Sequence, residues 1–150
     1  MPLDQTAQKS NFWFSLKKYV IDNVSVVNSI EVIFDKFLPP TSSIDQWIFV
    51  MQGVLGRDTV SDYSFEICCV TRQDYEGDRL ASLVDTISGY FVGDTTKTDG
   101  LMRIPFYDAL TQIQNGSMII IDCKESGIGE APDQSKFLIL SITAKMASKI

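Results

Sequence analysis

An α+β fold, a mainly antiparallel β-sheet packed by two α-helices, is predicted by three features of the sequence. Two stretches place apolar residues at helical spacing, several runs alternate apolar and polar residues at period two, and segments rich in Gly, Pro and Asp separate them. The chain has 150 residues, 45% hydrophobic and 21% charged, values that suit one globular domain around one core, so residues 1–150 are read as a single unit.

The first helix is expected from Ser10, a residue type that caps helix starts, to Asn23, with Phe12, Trp13, Leu16 and Val20 on one face. From Val26 to Phe37 the β-branched and aromatic residues predict a short strand, stopped by Pro39 and Pro40. Gln46 to Leu55 is rich in strand formers. Past the turn Gly56-Arg57-Asp58, Tyr63, Phe65, Ile67 and Cys69 alternate with Ser64, Glu66 and Cys68, and the two runs pair as an antiparallel hairpin. The second helix is the strongest signal: Leu83, Val84, Ile87 and Phe91 follow Leu80 at offsets of three, four, seven and eleven.

Gly93 to Gly100 is polar and reads as an exposed loop. Leu101 to Asp108 reads as a strand whose Pro105 requires a sheet edge or bulge. Asn115-Gly116 marks a turn into the strand Ser117 to Cys123, and Lys124 to Ser135, with Gly127, Gly129, Glu130 and Asp133, reads as a mobile acidic connection. The last strand, Lys136 to about Ala147, carries Leu138, Leu140, Ile142, Ala144 and Met146 on one face and Phe137 and Ile139 on the other. The order is therefore α-β-β-β-α-β-β-β, with helices on one side of the sheet and something else, a second subunit among the options, on the other.

A net charge of −6 disfavours general attraction to phosphate backbones or anionic lipid. No run approaches the roughly 20 apolar residues that span a bilayer, and Met1 to Ser10 lacks the pattern of a secretory signal, so the expected location of synthesis and residence is the cytoplasm. The absence of histidine closes the commonest general-base and zinc templates, and no Gly-rich phosphate cradle occurs. Asp74, Glu76 and Asp78 have the opening spacing of a calcium loop, but Arg79 stands where that loop needs glycine, and the acids read instead as partners of a helix N-terminus. Asp35, Asp108 and Asp122 flank strands, as magnesium ligands of a nuclease would, yet scattered surface acids explain them as well. Cys68, Cys69 and Cys123 show no CxxC spacing and read as packed free thiols. No catalytic, cofactor or metal residue is assigned.

The chain carries, in order, the aromatic-rich first helix, the strand Val32 to Phe37 ending at Pro39-Pro40, the tract Trp47-Ile48-Phe49-Val50, and the strand Tyr63 to Thr71 running into Arg72-Gln73-Asp74-Tyr75-Glu76-Gly77. With the second helix, Ile104-Pro105-Phe106-Tyr107-Asp108 and the long final strand, the chain resembles the tail-terminator family of long-tailed bacteriophages over nearly its whole length. The resemblance implies a homo-hexameric virion ring with a continuous inner β-layer at the head-proximal end of the tail tube. Such a ring ends tube polymerisation and docks the head–tail connector protein, with DNA passing through unretained, no membrane contact and no cofactor. A neck or head–tail adaptor of similar fold is the nearest rival; a cytoplasmic metal-dependent enzyme or a ligand-binding domain is the rival from another class. The positions expected at interfaces are Phe137 and Ile139 on the last strand, Asp94, Lys97 and Asp99 in the first loop, and Gly127, Gly129, Glu130 and Asp133 in the second.

Overall fold

Helix α1 spans Lys9–Val20 in a computed structural model that describes residues 8–36, 39–41, 43–56, 60–93 and 100–147. It starts one residue before Ser10, and the N–H groups of Asn11 and Phe12 both donate to the Gln8 carbonyl. Beyond Val20 the helix widens into a π-helical segment, Ile21–Ser25, and ends as α2, Val26–Asn28. The strand expected from Val26 therefore starts later. Asn23 Nδ2 donates to the Tyr19 carbonyl at 2.9 Å and Asn28 Nδ2 to the Asn23 carbonyl at 2.8 Å, which supports helix where the β-branched side chains alone favour extension. Ser29, left-handed at φ 55°, terminates it.

The strands are β1 (Glu31–Phe34), β2 (Gln46–Val50), β3 (Val54–Gly56), β4 (Val60–Thr71), β5 (Arg103–Tyr107), β6 (Gln114–Glu130) and β7 (Lys136–Ala147); helix α3 (Asp78–Ser88) joins β4 to β5. Four strands, rather than three, precede α3, because the run from Gln46 breaks at 51–53, where the Gly53 N–H donates to the Tyr63 hydroxyl at 2.8 Å. The sheet order is β1-β2-β4-β7-β6-β5, with β3 beside β4. It is a mixed sheet: β1 and β2 run parallel, and the other paired strands antiparallel.

Both long helices pack on one face. Phe12, Leu16 and Val20 of α1 and Leu80, Leu83, Val84 and Ile87 of α3 join Tyr63, Phe65, Ile67, Leu140 and Ile142 in a single cluster. The alternation read in β4 and β7 is that of inward and outward side chains, as period two requires. Two buried polar side chains tie α1 to the edge strand β5 and the turn after it: Ser15 Oγ accepts the Tyr107 N–H at 2.8 Å and Asn11 Oδ1 the Ala109 N–H at 2.9 Å. Pro105 lies on that edge strand, beside a register shift.

Two expected connections are strands instead. Asn115 and Gly116 lie inside β6; the turn comes earlier, where the Asp108 carboxylate accepts the N–H groups of Leu110 and Thr111, both at 2.9 Å. Lys124 to Glu130 is also β6, so the mobile acidic connection shrinks to the 131–135 turn, closed by the Ala131 N–H to the Ser135 carbonyl at 2.7 Å. The β7 ladder supplies the pairing that the Gly- and Ser-rich sequence of β6 does not favour by itself.

Asp74 organises the start of α3. Its carboxylate accepts the Leu80 N–H at 2.8 Å, the Thr71 hydroxyl at 3.0 Å and the Arg79 N–H at 3.3 Å, while Gly77 turns the chain at φ 80°. Burial opposes its ionisation, but those donors and the Arg79 charge outweigh it and hold the carboxyl below the ordinary value.

Two predictions follow from this packing. A Cβ on Gly53 would stand 2.5 Å from the Ser64 carbonyl and 2.7 Å from the Tyr63 ring, whereas one on Gly127 would meet nothing closer than 3.6 Å. Urea denaturation of Gly53→Ala should show a loss of about 1–3 kcal/mol with Gly127→Ala within about 1 kcal/mol of the parent; equal losses would contradict the packing described. Asp74 is more acidic folded than unfolded, so its contribution is complete above the ordinary value of 3.8 and disappears as pH falls through the lower folded value. Asp74→Asn should cost about 1 kcal/mol at pH 7, and the difference from the parent should shrink as both are titrated from pH ~4 towards ~2.

Candidate interaction face

The sheet face turned away from the helices is not polar throughout. On β2, Trp47 and Phe49 alternate with the core residues Ile48 and Val50, and all four are buried, so this strand is apolar on both sides. The register aligns the outward residues in two rows across the strands. One row runs Trp47, Val70, Phe137, Gly129; the other runs Ile33, Phe49, Cys68, Ile139, Gly127. Trp47, Phe49 and Val70 form a second apolar cluster, with Ile33, Ile44, Cys68 and Phe137 packed against it.

Glycine on β6 is part of this surface. A Cβ at position 129 would sit 2.8 Å from Phe137 Cζ, so the ring lies over a backbone that only glycine leaves bare. Gly127 and Gly129 thus seat the outward side chains of β7, where the sequence suggested a loop. Between β2, β7 and the 131–135 turn the band opens into a cleft of about 330 Å³, lined by Pro39, Trp47, Phe49, Val70, Phe137 and Ile139 among others. The Arg72 guanidinium stacks 4.5 Å from the Trp47 ring centroid and donates to the carbonyls of Pro40, Thr41 and Ile44 at 3.0, 2.7 and 2.9 Å, which pins the segment beside the cleft. Trp47 is 2% exposed, and its Nε1 has no hydrogen-bond partner among the described residues.

Further along the same face the band gives way to hydroxyls: Ser64 and Thr143 pair at 3.3 Å, and the Ser141 hydroxyl donates to that of Ser126 at 2.9 Å. The apolar patch is therefore bounded, as the centre of an interface with a polar rim is.

The expected interface residues separate into three groups. Phe137, Ile139, Gly127 and Gly129 come together in the band. Glu130 and Asp133 lie at the hairpin end; Glu130 pairs with Lys136 at 3.8 Å, and the Asp133 carboxylate accepts the Ser135 N–H at 3.1 Å, a bond that holds its pKa down. Asp94, Lys97 and Asp99 lie outside the described residues. Trp47, Phe49, Val70 and Arg72 were not singled out from the sequence as interface positions; the unbroken apolar run Trp47-Ile48-Phe49-Val50, which cannot all face one side of a strand, is the signal that points to them.

Among the described residues no three His, Cys, Asp or Glu side chains gather closely enough to hold a metal ion. Asp35 follows β1 and Asp108 follows β5, at opposite edges of the sheet, and Asp122 pairs with Lys124 at 3.3 Å. Asp74 of the calcium-like spacing is taken by the α3 start. Cys68 and Cys69 point to opposite faces; burial pushes the Cys68 thiol up to about 11, with Glu66 adding to it, and raises Cys69 and Cys123 as well. No described helix is long and apolar enough to cross a membrane.

No protein-family model matches the chain, and no curated protein matches it. Among solved structures, one whose name carries no functional description aligns over 92% of this chain and 96% of its own, with a TM-score of 0.56 at 8% sequence identity. That likeness establishes a shared fold.

The raised Cys68 thiol is checked by alkylation. Native protein at pH 8 should react with iodoacetamide at Cys68 on the order of tenfold or more slowly than the urea-unfolded chain, with the rate still climbing above pH 9; equal rates would contradict the burial described.

Proposed function

We propose that this chain is a structural assembly protein of a phage virion. In this reading it forms a ring, a hexamer, at the head-proximal end of the tail tube, where it ends tube polymerisation and offers the connector its docking surface. The observation that carries the proposal is the two-row apolar band on the helix-free face of the sheet. Around the buried Trp47, Phe49 and Val70, the half-buried Ile33, Cys68, Phe137 and Ile139 leave an apolar patch partly open, bordered by hydroxyls, which supports a contact between copies. The acidic balance adds support, since a channel wall of like charge lets DNA pass without retaining it. The tail-tube protein and the head–tail connector are the proposed partners, and the assembled virion is the proposed location.

Native mass spectrometry and negative-stain electron microscopy across a range of concentrations test the proposal. Six-membered rings with a central hole are expected, and Phe137→Ser combined with Ile139→Ser should leave a folded chain that no longer assembles. A strict monomer, alone and on added tail tubes, would overturn the reading.

A further inference from the structure

A second surface lies on the opposite side of the β6–β7 hairpin, the helix side. Strand β5 pairs with β6 as far as Ile119, and the Ile120 N–H donates to the Met102 carbonyl at 2.9 Å; beyond that point, among the described residues, β6 has β7 on one side and no strand on the other. Among the described residues no other strand pairs with the outer backbone edge of residues 121–130. Such an edge presents a row of N–H and C=O groups that an extended chain can join.

The helix-side residues of this stretch follow from the register with β7. Glu125 lies opposite Leu140, Ile128 opposite Leu138 and Glu130 opposite Lys136, with the bulge between Glu125 and Gly127 absorbing one residue. Ile128 is 73% exposed. It borders a groove of about 600 Å³ between β6 and α3, floored by Leu80, Val84 and Leu138 and walled by Glu76, Asp85, Glu125 and Glu130, against the single cation Lys136.

We infer that this edge and groove together bind an extended, basic segment of another protein, which adds as a strand to β6. Its helix-side residues, at alternate positions, follow a basic–apolar–basic order: the apolar side chain packs on Ile128 over the groove, and the two cations face Glu125 and Glu130. Charge decides between this occupant and a second copy of the chain. The protein has a net charge of −6, and although Lys124 pairs with Asp122 and Lys136 with Glu130, the edge and groove carry Asp122, Glu125, Glu130, Glu76 and Asp85 against those two cations, so a second copy meets net like charge there while a Lys- or Arg-bearing strand meets a surplus of carboxylates. The same acids that guard the edge against self-association therefore select the partner. The site does not depend on the proposed ring contact, which uses the other face of the hairpin.

Selection of a displayed library of random extended peptides on the purified full chain tests this, followed by fluorescence anisotropy of the consensus peptide. Enriched sequences should carry Lys or Arg two residues either side of a branched apolar residue. Binding should fall about tenfold or more in the Glu125→Lys/Glu130→Lys variant and in the single exposed-site variant Ile128→Lys, should weaken as salt rises, and should vanish when alternate peptide amides are N-methylated. The Phe137→Ser/Ile139→Ser variant should bind as the parent does. No enrichment, a consensus without cations, or unchanged binding by the charge-reversed variant or the N-methylated peptide would overturn the inference.

Discussion

The twelve-residue antiparallel ladder between β4 and β7 is the constraint on which the other features depend. Strict alternation along both strands sends Tyr63, Phe65, Ile67 and Cys69 with Leu138, Leu140, Ile142 and Ala144 to one face, and Cys68, Val70, Phe137 and Ile139 to the other. Both long helices are committed to the first face, where Phe12 stacks on Tyr63 and meets Phe106 edge-on. Covering one face of a sheet does nothing for the other. Full burial of a large apolar side chain is worth roughly 1.5–3 kcal/mol, and on the second face that gain is only partly realised for Phe137 and Ile139 within one chain.

The β6–β7 hairpin carries that division outward. On its helix-free side the glycines at 127 and 129 lower the surface beneath Ile139 and Phe137, which extends the apolar band started by Trp47 and Phe49. On its helix side the same strand presents acids and one exposed isoleucine beside an open backbone edge. One hairpin thus offers two chemically different surfaces: an apolar one suited to a copy of the chain and an acidic one suited to a basic partner. In the proposed assembly role such a separation would keep self-contact and partner contact from competing for a single surface.

Much of this was legible in the sequence. The two long helices, the alternation in β4 and the buried face of β7 are strong periodic signals, and each leaves its apolar residues where the spacing puts them. The departures have local causes. Val26 and Val27 favour extension by type but stand in helix, exposed, because amide side chains at Asn23 and Asn28 bond the preceding turn. Asn115, Gly116, Gly127 and Gly129 carry turn chemistry but lie in a strand: the first two stand where β6 pairs with the preceding β5, and the last two pair with Ile139 and Phe137 of β7, which residue type by itself does not reveal. The band itself was half visible: Phe137 and Ile139 stood out as a second apolar face, while Trp47 and Phe49 read only as part of a run of strand formers, because strand order and register are needed to see that they share a face with Phe137.

Hydroxyl-radical footprinting across a dilution series tests whether the helix-free face is buried against another copy, as proposed. Phe137 and Ile139, half-buried in the single chain, should become protected as concentration rises and assembly proceeds, while Ile128 on the other side of the hairpin keeps its labelling. Assembly that leaves Phe137 as reactive as in the dilute chain would contradict the account.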